Sequence, residues 1–256
     1  MMIKRSSHFE FKKLSFLAPV LLLSLLTISL AAGSPPASAQ TERSPGQTTA
    51  STLDGVLSQM DAAAAQFRSA TADFVWDQYQ KVVNETDTQK GKIYFRRDAK
   101  GKETEMAADI QSPEPKYLLF SGGRIQFYQP RINQVNEYSA GKNRAEVESF
   151  LVLGFGGSGR ELQQQFDVKF DGNEDVDGVK TAKLELTPKA PKVKNMFEKI
   201  ILWVDAPRGI SLKQQAFEPS GDYRLARYSN IKLNTKISDD VFKLHTSGHT
   251  KTIKGT

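Results

Sequence analysis

Four stretches of the chain carry residue types at spacings that could do chemistry. GFGGSG at 154–159 fits G-x-G-x-x-G, the pattern whose glycines let a backbone approach a pyrophosphate at the start of a helix. That fingerprint needs a strand before it, a long helix after it and a second parallel strand. FLVL precedes it, but RELQQQ allows at most two helical turns before QFDVKF alternates like a strand, so the glycines read as a flexible break after an apolar helix. DGNEDVDG at 171–178 invites a calcium loop. Counted from Asn173, however, the twelfth position is Leu184, where a bidentate glutamate is required, and the reading is a hairpin turn. His245 and His249 stand four apart in a polar tail without a third ligand nearby. Ser158 makes no nucleophile elbow, because G-x-S-x-G would need glycine where Arg160 stands. The expectation is a protein without catalytic residues, metal or cofactor.

The chain has 256 residues, no cysteine and a net charge of +6. It begins with the basic MMIKRSSHFEFKK, continues through an apolar run to Ala32, and then carries Ala37-Ser38-Ala39. That order is the pattern of a secretory signal cleaved after Ala39. A membrane anchor is the rival reading, but the run is near the lower length for a span and the A-x-A pattern follows it. Export predicts a periplasmic protein. Without residues 1–39 the charge falls to +3, and with no clustered basic stripe this argues against a nucleic-acid partner.

What must position any site is a run of strands. Residues 40–51 are polar and proline-bearing and read as a disordered lead. From the plausible N-cap Thr52, the residues Leu53, Val56, Leu57, Met60, Ala64 and Phe67 follow helical spacing. After them the period is two: ADFVWDQYQK, GKIYFRRD, ETEMAADI, KYLLFSG, RIQFYQP, QVNEYSA, QFDVKF, AKLELTPK, FEKIILWVD, ISLKQQAFE and YRLARYSNIKL read as about eleven strands. Short joints predict an antiparallel meander. Residues 143–165 interrupt it with a second helix, 144–153, that ends in the glycines. The fold class expected is mainly antiparallel β (α+β): a strongly curved, unclosed barrel at 52–245, with helices on its concave apolar face and a polar tail at 246–256.

Alternation assigns Phe74 and Trp76, Ile93 and Phe95, Ile125 and Phe127, Phe166, Val168 and Phe170, and Ile201 and Trp203 to that concave face. Such a stripe is either plain core or the lining of a lipid cavity.

IYFRR, SGGRIQFYQPRINQV and the long segment from FEKIILWVD to DDVFKL resemble the periplasmic outer-membrane lipoprotein carrier family, LolA-like proteins, over about residues 53–244. The most specific pieces are Phe127, Tyr128 and Pro130 at a strand end, the strand from Leu202 to Asp205, and Asn234, Ile237 and Phe242. The resemblance implies an unclosed barrel with a helical lid, whose interior takes the acyl chains of a lipoprotein or lipid from an inner-membrane donor complex and yields them to an outer-membrane acceptor. It implies a monomer. It further implies a gating arginine, matched by Arg96 or Arg97, with Asp98 standing where the family commonly has proline. Phe150, Leu151 and Leu153 would belong to the lid, with Gly154, Gly156, Gly157 and Gly159 as its hinge. The alternative is an envelope-stress sensor that binds a lipidated ligand and a regulator.

Overall fold

The computed structural model describes residues 52–97, 104–139, 141 and 153–255. Helix α1 (Leu53–Gln66) starts where Thr52 caps it, with the Gly55 N–H donating to Thr52 Oγ1 at 3.2 Å. Val56, Leu57, Met60 and Ala64 form its buried stripe. The helix stops at Phe67, whose extended backbone turns the chain into the first strand. Asn234, in the left-handed region at φ +56°, clamps that junction. Its side-chain oxygen accepts from Arg68 N–H at 2.8 Å, and its amide donates to the carbonyl of Gln66 at 3.2 Å. This is a physical reason for an asparagine at that point.

All eleven expected strands are present: β1 (Ser69–Gln80), β2 (Glu85–Arg97), β3 (Thr104–Ser112), β4 (Lys116–Ser121), β5 (Arg124–Gln129), β6 (Gln134–Ser139), β7 (Phe166–Val176), β8 (Val179–Pro188), β9 (Lys199–Asp205), β10 (Ile210–Phe217) and β11 (Tyr223–Leu233). Among the described residues two further short helices, α2 (Gly159–Gln165) and α3 (Pro191–Lys194), lie between them, and the expected second helix at 144–153 lies, except for Leu153, outside the described residues. The acidic stretch at 171–178 is a hairpin: Val176 pairs Val179 across Asp177 and Gly178, both at positive φ, as a two-residue turn requires.

A twelfth strand, β12 (Lys251–Gly255), lies in the segment expected to be only a polar tail, and it pairs parallel with β6. Its residues are polar and short-spaced, so alternation gave no signal. What holds it is a hydrogen-bond cluster in which Thr250 Oγ1 donates to Asn133 Oδ1 at 2.7 Å and Asn133 Nδ2 donates to Ser247 Oγ at 3.1 Å. His245 pairs with Asp240 at 3.1 Å. The single sheet runs β12-β6-β5-β4-β3-β2-β1-β11-β10-β9-β8-β7, with its two edge strands unpaired to each other, so the barrel is unclosed.

Its inner face carries two apolar clusters. One lies between α1, α2 and the sheet around Leu184, Leu202 and Val204; the other spans β1, β2, β3 and β11 around Phe74, Phe95 and Tyr228. A third, smaller cluster sits on the outer face, where Phe242 with Ile237, Val241 and Leu244 covers Ala107, Leu119, Tyr94 and Tyr117. There Arg96 lies over the Phe242 ring at 4.1 Å and pairs with Glu105 at 2.7 Å and with Asp239. Phe242→Ala is expected to lower unfolding free energy by about 3 kcal/mol in guanidinium titration. A loss under about 1 kcal/mol would mean that the C-terminal arm contributes little to the core.

Candidate functional site: the inner apolar face

Of the eleven residues assigned to one face, nine share it and two do not. Phe74, Trp76, Ile93, Phe95, Ile125 and Phe127 line the β1–β2–β5 half, where Phe74 stacks on Trp76 at 4.0 Å. Phe166, Val168 and Phe170 line the half under α1. Ile201 and Trp203 point outward. The inner residues of β9 are Ile200, Leu202 and Val204, all buried in the cluster under α1. KIILWVD is apolar in both phases, so alternation could not set its register, and a slip of one residue exchanges the faces. Trp203 is still buried on the outer side because Lys213 and Lys183, its cross-strand neighbours, lie over its ring at 4.0 and 5.5 Å. Their aliphatic stems exclude water while the ammonium groups face the indole.

The same parity separates the two arginines. Arg96 faces outward, onto Phe242, Glu105 and Asp239. Arg97, two residues from inward Phe95, reaches toward the end of α1 and the glycine segment. Its Nη2 donates to the carbonyl of Ala64 in the last turn of α1 and to the carbonyl of Gly156, each at 3.4 Å. A cation there satisfies helix-end carbonyls and complements the negative end of the helix dipole.

The glycine segment is a docked strap. Ser211 N–H donates to Gly154 O at 2.7 Å, Gly156 N–H to Gly209 O at 3.4 Å, and Gln214 Nε2 to Leu153 O at 2.7 Å. Gly154 and Gly156 sit at φ +80° and +73°, and a Cβ on Gly156 would lie 2.4 Å from the Phe67 ring. A Cβ on Gly159 would lie 2.6 Å from Leu57 O, whereas Gly157 has open space. Ser158 caps α2 in a capping box with Glu161. The dinucleotide reading thus fails on the structure as well, since α2 has seven residues and β7, which follows it, pairs antiparallel. Phe150 and Leu151 lie outside the described residues.

Between the two glycines, Phe155 enters the inner face and is 1% exposed. Its ring stacks on Phe95 at 4.4 Å and meets Tyr228 edge-on at 4.8 Å. Sequence reasoning missed Phe155 and Tyr228; the signal available was an aromatic between glycines, and the inward phase of YRLARY. Burial holds the Tyr228 phenol well above its ordinary value, opposed by its hydrogen bond with Trp76. Beside the strap, the pocket among Met60, Leu153, Gly157, Glu161, Leu162 and Phe166 holds about 50 Å³, space for a few waters and not for an acyl chain. Among the described residues, no three His, Cys, Asp or Glu converge as metal ligands, and no helix is long and apolar enough to cross a membrane.

A family model described as "Outer membrane lipoprotein carrier protein LolA" matches residues 65–245. The chain belongs to the LolA family. Among solved structures, an uncharacterized conserved protein from Thermus thermophilus is 10% identical with a TM-score of 0.52, over 79% of this chain and 98% of that one. A LolA superfamily protein from Nitrosomonas europaea is 16% identical with a TM-score of 0.38, over 75% and 98%. MucB of Pseudomonas aeruginosa, solved with MucA, is 16% identical with a TM-score of 0.47; this chain covers 75% of itself and 61% of that protein in the match. No curated protein matches the sequence.

Within this LolA-family half-barrel the glycines make a sharp prediction. Gly156→Ala combines a positive φ with overlap on Phe67 and is expected to cost about 2–4 kcal/mol in chemical unfolding. Gly157→Ala is expected to stay within about 0.5 kcal/mol. Equal effects would contradict the packed strap.

Proposed function

We propose that the protein is an exported, periplasmic carrier that holds the acyl chains of a lipoprotein or another lipid on the inner face of its half-barrel. Its cargo comes from an inner-membrane donor complex and goes to an outer-membrane acceptor. The observation that carries this reading is that, among the described residues, the apolar inner face is covered by α1, α2 and the ring of Phe155, not by a second sheet. Family membership supports it, as does an apolar lining that is only partly buried at Trp76, Leu118, Ile125 and Phe127.

Energetics explain why such a carrier needs a movable cover. Burying an acyl chain of about sixteen carbons contributes roughly 13 kcal/mol at about 0.8 kcal/mol per CH₂. A cavity that stood open for the chain would not release it. A cover that returns to the face offsets part of that loss, and the ligand shifts the equilibrium by its preference for the uncovered state. Arg97, bonded to both α1 and the strap, is the residue in this reading that holds the cover down. No catalytic step or cofactor is involved.

Lipids that co-purify with the protein should be identifiable by mass spectrometry, and a fluorescent fatty acid should bind saturably. Phe127→Asp on the inner face should weaken that binding by at least about tenfold, by burying a carboxylate against the chain. Trp203→Phe on the outer face should leave it unchanged. Binding that ignored Phe127 or followed Trp203 would rule out the inner face as the site. Capture of a membrane regulator with no acyl binding would favour the sensor reading. In stopped-flow displacement, Arg97→Ala should release the probe more slowly than wild type, because the covered state loses two hydrogen bonds; unchanged release would remove Arg97 from the gating role.

A further inference from the structure

Among the described residues four large apolar side chains stand exposed, and the three most exposed gather at one end of the strands. Val82 and Val83, 71% and 54% exposed, occupy the turn between β1 and β2, and Ile132, 56% exposed, occupies the turn between β5 and β6. Register puts both turns at the same end. Gln80 faces Glu85 across the first turn, Lys90 of β2 faces Ser112 at the end of β3, and Tyr117 at the start of β4 faces Tyr128 near the end of β5. The β1–β2 hairpin also stands clear of the sheet on one side. β2 meets β3 only from Lys90 onward, so residues 85–89 extend past it, roughly 17 Å at 3.4 Å per residue. The two valines thus ride on a protruding tip.

Behind them comes a row of rings on the outer face. Tyr79 faces Tyr223 across β1 and β11 and stacks on it at 4.8 Å, and Phe217 lies beside Tyr223 at 6.3 Å. The Tyr79 hydroxyl donates to Asn84 Oδ1 at 3.0 Å, which ties this row to the turn. An exposed cation flanks each apolar point, Lys81 next to Val82 and Arg131 next to Ile132. Aliphatic groups outermost, tyrosines next and long cations beside them is the order in which a bilayer receives side chains, from hydrocarbon to headgroups. A protein partner fits less well. The two turns lie three strand spacings apart along the sheet, roughly 14 Å at 4.8 Å each, with the polar cleft of Glu114, Lys116, Gln129 and Arg131 between them. Each turn offers far less than the roughly 800 Å² that one partner of a specific complex buries, whereas a laterally uniform apolar layer accepts separate points. Around the hairpin tip Lys81 and Arg224 stand with Glu85, Asp87, Glu218 and Asp222, so apolar contact and not attraction to anionic lipid has to hold it.

We propose that this end of the half-barrel is a membrane-docking surface, with Val82, Val83 and Ile132 entering the outer part of a lipid layer and Tyr79 and Tyr223 lying at headgroup level. The proposal goes beyond the carrier reading and does not depend on what the inner face holds: it says which end of the molecule meets a bilayer. Contact through so few side chains is shallow and reversible.

The test uses the protein purified after export and vesicles of zwitterionic phosphatidylcholine, with and without added anionic phosphatidylglycerol. Because the chain has no cysteine, Val82→Cys and Asp175→Cys can each carry one environment-sensitive fluorophore. Asp175 is exposed beside the β7–β8 turn, at the opposite end of the strands. Wild type should cosediment with zwitterionic vesicles, and vesicles should brighten and blue-shift the label at 82 but not the label at 175. Val82→Asp together with Val83→Asp should lower cosedimentation about tenfold or more, and Ile132→Asp by a smaller factor, with the thermal midpoint and fatty-acid binding unchanged. No vesicle binding, equal responses of the two labels, or binding that the aspartates leave unchanged overturns the proposal. Binding that requires the anionic lipid and disappears in high salt also overturns it, because that is adsorption by charge. Wild type that binds vesicles but no fatty acid contradicts the carrier reading alone.

Discussion

A single sheet of twelve strands has two faces and only one layer, and its apolar inner face must be covered. The rest of the structure follows from how that cover is built. Half of the face is covered by α1 and α2 with a continuous core, centred on Leu184, Leu202 and Val204, that has the character of any helix-on-sheet interior. Among the described residues, the other half is closed by less: Phe67 at the end of α1 and Phe155 from the strap. The inner face thus has a part packed like a core and a part held by few hydrogen bonds.

The outer face shows the opposite strategy. Its apolar residues are covered by the chain's own C-terminal arm or by cationic side chains. Phe242 sits under Arg96 and over Ala107 and Leu119, and Trp203 lies under Lys213 and Lys183. These covers are tied down from several directions, by Asp239 and Glu105 around Arg96 and by the hydroxyl of Tyr117 donating to the carbonyl of Val241. Asn234 links the arm to the end of α1, so the inner cover and the outer arm are anchored at one junction. The two arginines next to each other in β2 therefore have unrelated tasks. Arg96 belongs to the arm and Arg97 to the cover, because strand parity sends neighbours to opposite faces.

Much of this was legible in the residues. Alternation and turn chemistry found the eleven strands of the meander, and Thr52 with the spacing of Val56, Leu57 and Met60 found α1 and its buried stripe. Where one phase of a strand is polar, as in ADFVWDQY, the face could be read directly. Where both phases are apolar, as in KIILWVD, it could not, and Ile201 and Trp203 were assigned to the wrong side. β12 escaped because it is short and polar and owes its place to pairing with β6 and to Asn133.

The sequence by itself determined the local choices: which segments are strands, where they turn, that Gly154 and Gly156 permit a left-handed backbone, and which family the chain belongs to. These depend on residue type and near neighbours, which a linear pattern carries. Only the tertiary structure decided the register of β9, which arginine meets the cover, and that an aromatic between two glycines fills the inner face. Those outcomes depend on contacts between residues far apart in the chain, such as Phe155 with Phe95 and Tyr228, and on which of two nearly equivalent apolar faces the packed sheet turns inward.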